Sequence, residues 1–269
     1  MTTQKLEDAD AVMLLGPTVS GKTALALKAA KMVPCEVISI DSALVYKKMN
    51  IGTAKPTKEE LEQVPHHLID IIEPTEAYST ASFVSDCERL VKEIRARGRL
   101  PIIVGGTMLY AKALREGLSE LPTSTPEVRD KIGNLLKEKG LSFLYEALKK
   151  VDPDSARRLS PNDTQRISRA LEVYDLSGRP LTSFFGEAKG TELNIPTFAL
   201  FPEDRKELHR RIALRFEQML GNGFLDEVRS LKEIPGLTKD HSSIRCVGYR
   251  QAWDYLDGLT SFDEFKEAG

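Results

Sequence analysis

The chain has 269 residues, 41% of them hydrophobic and 29% charged, the composition of a soluble globular protein long enough for one large or two modest domains. A formal net charge of −2 argues against indiscriminate polyanion binding, and three widely spaced cysteines with no Cys-x-x-Cys pair suggest neither a disulfide framework nor a zinc site. No apolar run approaches the length of a membrane span and the first ten residues carry no signal-like pattern, so a cytoplasmic protein with no membrane partner is expected.

In chain order, the apolar run 11–15 predicts a strand. It leads into Gly16-Pro17-Thr18-Val19-Ser20-Gly21-Lys22-Thr23, which fits the pattern G-x-x-x-x-G-K-[ST] and precedes a helical segment at 23–32. A strand before and a helix after are the context that a phosphate-binding loop requires. The glycines let successive N–H groups curl around an anion, and the helix N-terminus adds partial positive charge. Lys22 brings a mobile cation, and the Thr23 hydroxyl suits Mg²⁺ ligation. The plain alternative is a glycine-rich turn with no ligand.

A second strand, 36–40, runs into Asp41 and Ser42. Residues just past the carboxyl ends of strands in an open α/β sheet face the ligand crevice, so Asp41 is expected to face whatever Lys22 holds. It is read either as a base beside a phosphorylated donor or as a turn cap or water-linked Mg²⁺ residue. Further strands are predicted at 68–72 and 101–104, and helices at 79–97 and 107–115. In the first of these helices Phe83, Val84, Cys87, Leu90, Val91 and Ile94 share one face. The alternation means a parallel sheet wrapped by helices. Gly105, Gly106 and Thr107 follow the 101–104 strand with no carboxylate, where kinases and NTPases with this loop usually carry one for the Mg²⁺ shell and the attacking water. The adjacent His66 and His67 and the isolated His209 and His241 do not form a ligand set.

The pattern changes near Gly117. Residues 119–125 are rich in Ser, Thr and Pro, and 126–176 read as several helices, stopped by Ser177-Gly178-Arg179-Pro180. A strand-like run at 195–201 returns to the α/β pattern, followed by helices at 204–220, 224–231 and 244–256. The expected fold is a P-loop NTPase-like α/β core beginning over 1–118, an all-helical insertion over 119–195, and a return to the core over 196–269. Arginines concentrate at 157, 158, 166, 169 and 179, then at 205, 210, 211 and 215, and again at 245 and 250. The planar guanidinium suits phosphate, although solvated helix faces explain any single cluster.

Six blocks together resemble the bacterial tRNA dimethylallyltransferase family. They are Gly16 to Thr23, Asp41-Ser42-Ala43-Leu44-Val45-Tyr46, Ile51-Gly52-Thr53-Ala54-Lys55-Pro56, Gly105-Gly106-Thr107-Met108-Leu109-Tyr110, Asn162-Asp163-Thr164-Gln165-Arg166-Ile167-Ser168-Arg169 and Ser243-Ile244-Arg245-Cys246-Val247-Gly248-Tyr249-Arg250. The resemblance implies transfer of a dimethylallyl group from dimethylallyl diphosphate to the exocyclic amine of the adenosine 3′ of the anticodon, with Mg²⁺ assisting and diphosphate leaving. It implies catalytic roles for Thr18, Lys22, Asp41 and Arg215. Gly16, Pro17, Thr18, Val19, Ser20, Gly21, Lys22 and Thr23 would hold the diphosphate together with Arg211 and Arg215, which lie one helical turn apart, and Thr23 would ligate the metal. The base would enter one mouth of a channel and the prenyl donor the other. Asp41, Ser42, Ala43, Leu44 and Thr107 would meet the flipped adenosine. Gln165, Arg166, Ile167, Ser168 and Arg169, with Arg245, Cys246, Val247, Gly248, Tyr249 and Arg250, would hold the surrounding tRNA, helped by Arg129. The inserted helical domain would embrace the anticodon stem.

The chemistry of the residues fits that implication. A diphosphate leaving group needs a cradle, a lysine and a metal, but no carboxylate to position water. An adenine amine is a weak nucleophile, and a carboxylate taking its proton contributes about 10²–10⁴-fold. A monomer is expected. Family members continue through a further basic helix, so the chain ending at 261–269 is expected to be truncated. Three other readings compete: a small-molecule kinase, which the missing carboxylate disfavours; an adenylate prenyltransferase, which would leave the arginine-bearing insertion idle; and a non-catalytic RNA-binding module, which has no use for Lys22, Thr23 and Asp41 together.

Overall fold

The computed structural model describes residues 8–119, 121–186, 189–202 and 204–269. They form two compact units, Met1–Ala113 with Glu192–Gly269 and Leu114–Thr191. The first holds a five-stranded sheet in the order β3-β2-β4-β1-β5, made of β1 (Val12–Leu15), β2 (Cys35–Ile40), β3 (His66–His67), β4 (Leu100–Gly105) and β5 (Thr197–Ala199). Every pairing is parallel. All six residues of β2 are buried, the continuous burial of a parallel strand covered on both faces. On one face α1 (Lys22–Ala30) contributes Ala26 to a core with Leu14, Val37, Ile102 and Val104. A second helix, α2 (Lys58–Gln63), starts at a Thr57–Glu60 capping box. Next comes α3 (Thr80–Ala96), capped by Ser79, which buries Phe83, Cys87, Leu90, Val91 and Ile94, five of the six residues assigned to that face; Val84 lies at its margin.

Register decides what the sheet presents at its carboxyl end. Leu15 and Ile40 both align with Gly105, so the chain leaves β1, β2 and β4 at one level. The segments beginning at Gly16, Asp41 and Gly106 therefore emerge side by side. After β4 comes α4 (Met108–Glu116), and after β5 come α8 (Arg205–Gly221), α9 (Phe224–Lys232), α10 (Tyr249–Leu256) and α11 (Phe262–Ala268). These last helices build a second core around Phe224, Val228, Ile244, Tyr249, Trp253 and Phe265.

The other unit contains α5 (Pro126–Val151), α6 (Pro153–Arg158), α7 (Thr164–Ser177) and a 3-10 turn at Leu181–Phe184. Among its described residues there is no strand. Gly140 (φ 79°, ψ 168°) breaks α5 into two segments. Ile132, Leu144, Leu148, Ile167, Ala170 and Leu171 form its core. Asp152 caps α6, accepting from the Ser155 amide and hydroxyl and from the amide and hydroxyl of Thr182. Burial alone would raise its pKa, but these bonds from Ser155 and Thr182 hold it below the usual value.

Three predicted elements are corrected. The 68–72 run is not a strand, because Leu68 (φ 62°) and Asp70 (φ 55°) adopt left-handed backbone that a ladder cannot carry. Its amides instead bond the 44–45 segment: Asp70 N–H to Leu44 O, and the Ile71 and Ile72 N–H groups to Val45 O. The 195–201 run supplies only Thr197–Ala199 to the sheet. The 244–256 helix begins at Tyr249, since Gly248 (φ 86°) ends a run of turns in which the buried Ser243 hydroxyl donates to Pro74 O at 2.6 Å.

One charge is buried in the sheet away from this end. The Glu36 carboxylate receives Nε and Nη2 of Arg97 at 3.0 and 2.8 Å and His67 Nε2 at 2.6 Å. The hydrogen bonds from Arg97, and secondarily that from His67, overcome the opposing effect of burial and hold its pKa at about 2. A depressed carboxylate stabilises the fold above its unfolded pKa and loses that contribution as pH falls through the folded value. Glu36→Gln should therefore be less stable than the unsubstituted chain at pH 7, by up to about 3 kcal/mol. The gap should close between about pH 4.5 and pH 2, measured by chemical denaturation across that range.

Candidate active site

The loop after β1 carries Gly21 in left-handed backbone (φ 91°) as the N-cap of α1. Val19 shares that region (φ 64°), an uncommon conformation for a β-branched residue and one that sites of function tend to hold. A Cβ at Gly16 would lie 2.5 Å from Leu200 O and 2.8 Å from Ser20 Oγ, so only glycine lets the loop start there. Lys22 Nζ donates to Gly16 O at 2.8 Å, to Pro17 O at 2.6 Å and to Ser20 Oγ at 3.4 Å. The ammonium is thus held across the mouth of its own loop. Burial lowers the Lys22 pKa and the nearby Arg215 adds to this, while Asp41 opposes both. Thr18 and Thr23 are exposed.

Asp41 follows β2 in a tight turn in which its Oδ1 accepts from Ala43 N–H at 2.9 Å. That is the local capping role open to any aspartate, and the same carboxylate also lines the cavity. Its neighbour Ser42 donates its amide to Thr107 Oγ1 at 3.0 Å, and Thr107 N–H bonds Ile40 O at 3.2 Å, tying the ends of β2 and β4 together. A Cβ on Gly105 would sit 2.6 Å from Ile40 O, and one on Gly106 would sit 3.1 Å from Gly16 O. The carboxylate-free strand end thus has a steric reason beside the chemical one: at Gly105 no side chain fits between the loops.

A cavity of about 410 Å³ opens beside Thr18, Asp41 and Ala43. Its lining also includes Ile212, Arg215, Phe216 and Met219 on α8, Gly52 and Thr53, Phe224, and Cys246, Val247, Gly248 and Tyr249. Positions 212, 215, 216 and 219 form one helical face. Arg211 falls off its edge and pairs instead with Glu207, Nε to Oε1 at 2.7 Å. Of the two arginines expected at the diphosphate, the fold therefore brings Arg215 to Asp41 and does not bring Arg211. Burial lowers the Arg215 pKa against the pull of Asp41. Burial and then the field of Asp41 push Cys246 and Tyr110 up to about 12 each. One carboxylate and two cations therefore share a partly desolvated space.

The remaining sequence-predicted residues divide by unit. In the first, Leu44 is partly buried, and Arg245 and Arg250 are exposed with no ion pair among the described residues. Tyr249 and Gly248 are buried wall residues rather than surface contacts. In the helical unit Arg129 and Gln165 are exposed, Arg166 pairs with Asp163 at 2.7 Å, and Arg169 donates to Pro122 O at 2.8 Å and to Glu172 at 3.4 Å. Ile167 is fully buried, with its side chain in the core of that unit. Sequence reasoning missed the apolar walls Ile212, Phe216 and Met219, although their spacing around Arg215 carried the signal. It also gave no role to Gly52 and Thr53, whose block was visible in the sequence.

Fold and loop together define a phosphate-loop α/β protein with an inserted helical unit. Residues 44–269 match the family described as IPP transferase. A tRNA dimethylallyltransferase of Neisseria meningitidis serogroup C (strain 053442) is 56% identical over 262 residues, spanning 96% of this chain and 84% of that protein. Another, from Cupriavidus necator, is 52% identical over 265 residues, spanning 96% and 82%. Among solved structures, the full-length tRNA isopentenylpyrophosphate transferase of Bacillus halodurans aligns with TM-score 0.67 at 35% identity, covering 97% of this chain and 81% of its own. A eukaryotic dimethylallyltransferase acting on tRNA aligns with TM-score 0.78 at 28% identity, covering 96% and 65%. The chain belongs to the IPP transferase family.

The steric fit at the strand ends yields a test. Gly105→Ala should force β2 and β4 apart at Ile40, costing about 1–3 kcal/mol of stability and displacing Asp41 and Thr107. Denaturation midpoints and prenyl transfer measured together should both fall; a fully stable, fully active variant would show that the close approach is dispensable.

Proposed function

We infer that this chain is an enzyme that transfers a dimethylallyl group from dimethylallyl diphosphate to the exocyclic amine of an adenosine beside the anticodon of tRNA. The observation that carries the reading is one cavity that joins Thr18 of the phosphate loop, Asp41 and Arg215 to an apolar wall of Ile212, Phe216 and Met219. Such a lining suits a ligand with an anionic head and a short hydrocarbon tail. In the reaction the amine nitrogen bonds C1 of the dimethylallyl group, the C1–O bond breaks, and the electron pair leaves with diphosphate. Asp41 takes the amine proton as the new bond forms. The loop amides, Lys22 and Arg215 stabilise the charge that collects on the departing diphosphate, Arg215 lining the same cavity as the loop residue Thr18.

The Thr23 hydroxyl, exposed at the first turn of α1, supplies one oxygen ligand of the kind Mg²⁺ accepts. No cluster of three or more His, Cys, Asp or Glu suited to a metal occurs among the described residues, so water and diphosphate oxygens would complete the shell, as is usual for this ion. Bound there, Mg²⁺ would offset the charge of the diphosphate. Arg129, Arg166, Arg169, Arg245 and Arg250 are the proposed tRNA phosphate contacts, with Gln165 beside them. The Arg166–Asp163 pair, with the arginine well exposed, is of a kind that contributes little, so a phosphate can replace Asp163 at small cost, whereas Arg169 is held by Glu172 and Pro122 O in a partly buried setting. No helix among the described residues is long and apolar enough to cross a membrane.

Incubation with labelled dimethylallyl diphosphate and either tRNA or AMP tests the reading directly: label should enter tRNA and not AMP. Lys22→Ala should abolish measurable transfer and weaken donor binding. Asp41→Asn keeps the acceptor for Ala43 but cannot take a proton at neutral pH, so turnover should drop by about 100-fold or more with both substrates still bound. Surviving turnover with weaker Mg²⁺ dependence alone would make Asp41 a metal-shell residue.

A separate measurement addresses the RNA. Changing Arg166, Arg169, Arg245 or Arg250 to Ala should weaken tRNA binding without touching donor binding. Each lost phosphate contact should reduce the slope of log affinity against log salt by about 0.7–0.9. Unchanged tRNA affinity in all four variants would remove these residues from the interface.

A further inference from the structure

Part of the wall of the cavity that Asp41 lines is held by a side chain that bonds none of the groups assigned to the chemistry. Glu227, in the first turn of α9, accepts the amide N–H groups of Asn50 and Ile51 on Oε2 at 2.8 and 2.7 Å. Its Oε1 accepts Gly52 N–H at 3.2 Å and the Tyr249 hydroxyl at 2.6 Å. Three consecutive backbone N–H groups converging on one point form an anion-binding nest, and here the anion is built into the protein. Two segments about two hundred residues apart in sequence, 50–52, of which Gly52 lines the cavity, and 248–249, are therefore joined through one carboxylate.

The fit around this clamp leaves little freedom. A Cβ on Gly52 would lie 2.2 Å from the Phe224 ring and 2.7 Å from the Tyr249 ring, and those rings pack edge to face at 5.1 Å. Gly52, Phe224 and Tyr249 all line the cavity. Burial, then the charge of Glu227, raises the Tyr249 pKa well above its usual range, so the hydroxyl stays a donor. The rest of the 50–55 loop is bonded to itself and its neighbours: Thr53 Oγ1 donates to Met49 O at 2.7 Å, and Lys55 Nζ to Tyr46 O at 2.9 Å and to Asp70. Glu227 accepts all three of the 50–52 amides, and the Gly52 amide also bonds the Tyr249 oxygen. A glutamine in its place would turn an NH₂ group toward donors and leave amides unpaired.

We propose that Glu227 is a positioning residue for prenyl transfer, fixing through the 50–52 amides and the Tyr249 hydroxyl the wall against which the reacting groups are aligned before Asp41. The proposal rests on the transfer reaction inferred above. A wall that shifts leaves the phosphate loop intact but loosens the approach of amine to C1, so the loss should appear in turnover and not in recognition of the diphosphate.

The test uses the full chain with Glu227→Gln, Tyr249→Phe and the double variant. Turnover and donor KM with tRNA and dimethylallyl diphosphate are measured, together with inorganic diphosphate affinity by calorimetry and amide hydrogen exchange. For Glu227→Gln, kcat should fall about tenfold or more, with donor KM and diphosphate affinity within about twofold of the unsubstituted chain. Exchange should quicken at residues 50–52 and stay slow in β2 and β4. Tyr249→Phe, which removes one of the four bonds, should cost less, and the double variant should be no worse than Glu227→Gln alone, because both act through one carboxylate. Unchanged kcat, additive losses, or diphosphate affinity falling in step with kcat would each overturn the proposal. If the unsubstituted chain fails to prenylate tRNA, the reading of function fails. The exchange arm then decides the clamp by itself, and unchanged protection at 50–52 would refute it.

Discussion

Three parallel strands ending at one level, packed too closely for any side chain between two of them, are the constraint on which this site depends. Leu15, Gly105 and Ile40 share a register, and the missing Cβ at Gly105 lets the Ile40 carbonyl lie where a methyl group would otherwise sit. The phosphate loop, the Asp41 turn and Thr107 become neighbours through this backbone approach, with hydrogen bonds between residues 40–42 and 107 holding it. Side chains that are far apart in the sequence are thereby positioned by the sheet before any ligand contact is considered.

The electrostatics follow from that placement. Lys22 and Arg215 are both partly desolvated, which lowers their pKa values, and Asp41 is the opposite charge that each of them feels. Two cations and one carboxylate give the pocket a positive balance suited to a diphosphate. The same carboxylate, hydrogen-bonded to the Ala43 amide, is fixed in direction rather than free to fold back on the lysine. Although the net charge of the protein is −2, its cations are gathered locally here, and that gathering matters more for the proposed anion site than the sum.

Residues whose work is architectural also account for much of the family pattern. Of the block 51–56, Ile51 and Gly52 bond Glu227, Thr53 bonds Met49, and Lys55 bonds Tyr46, Asn50 and Asp70. Ile167 lies in the block 162–169 because the helical unit needs it in its core, while the exposed Gln165 and Arg166 beside it remain available to a partner. The sequence blocks of this chain thus mix exposed groups with groups bonded or packed into the fold.

The phosphate loop, the alternation of strands and helices, the helical insertion and the candidacy of Asp41 were all legible along the chain. Each is written in contiguous residues with a recognisable period or spacing. The departures lie where tertiary contacts overrode a local pattern. The apolar stretch 68–72 became a left-handed turn because its amides found partners at 44–45, and the helix expected from 244 waited until Gly248 released the chain. Arg215 lines the cavity while Arg211, one turn earlier on α8, pairs with Glu207, a division that helical spacing alone does not make. Glu227 was invisible for the same reason: a glutamate in a helical first turn is ordinary in sequence, and only the folded chain brings three amides and a tyrosine hydroxyl to its oxygens.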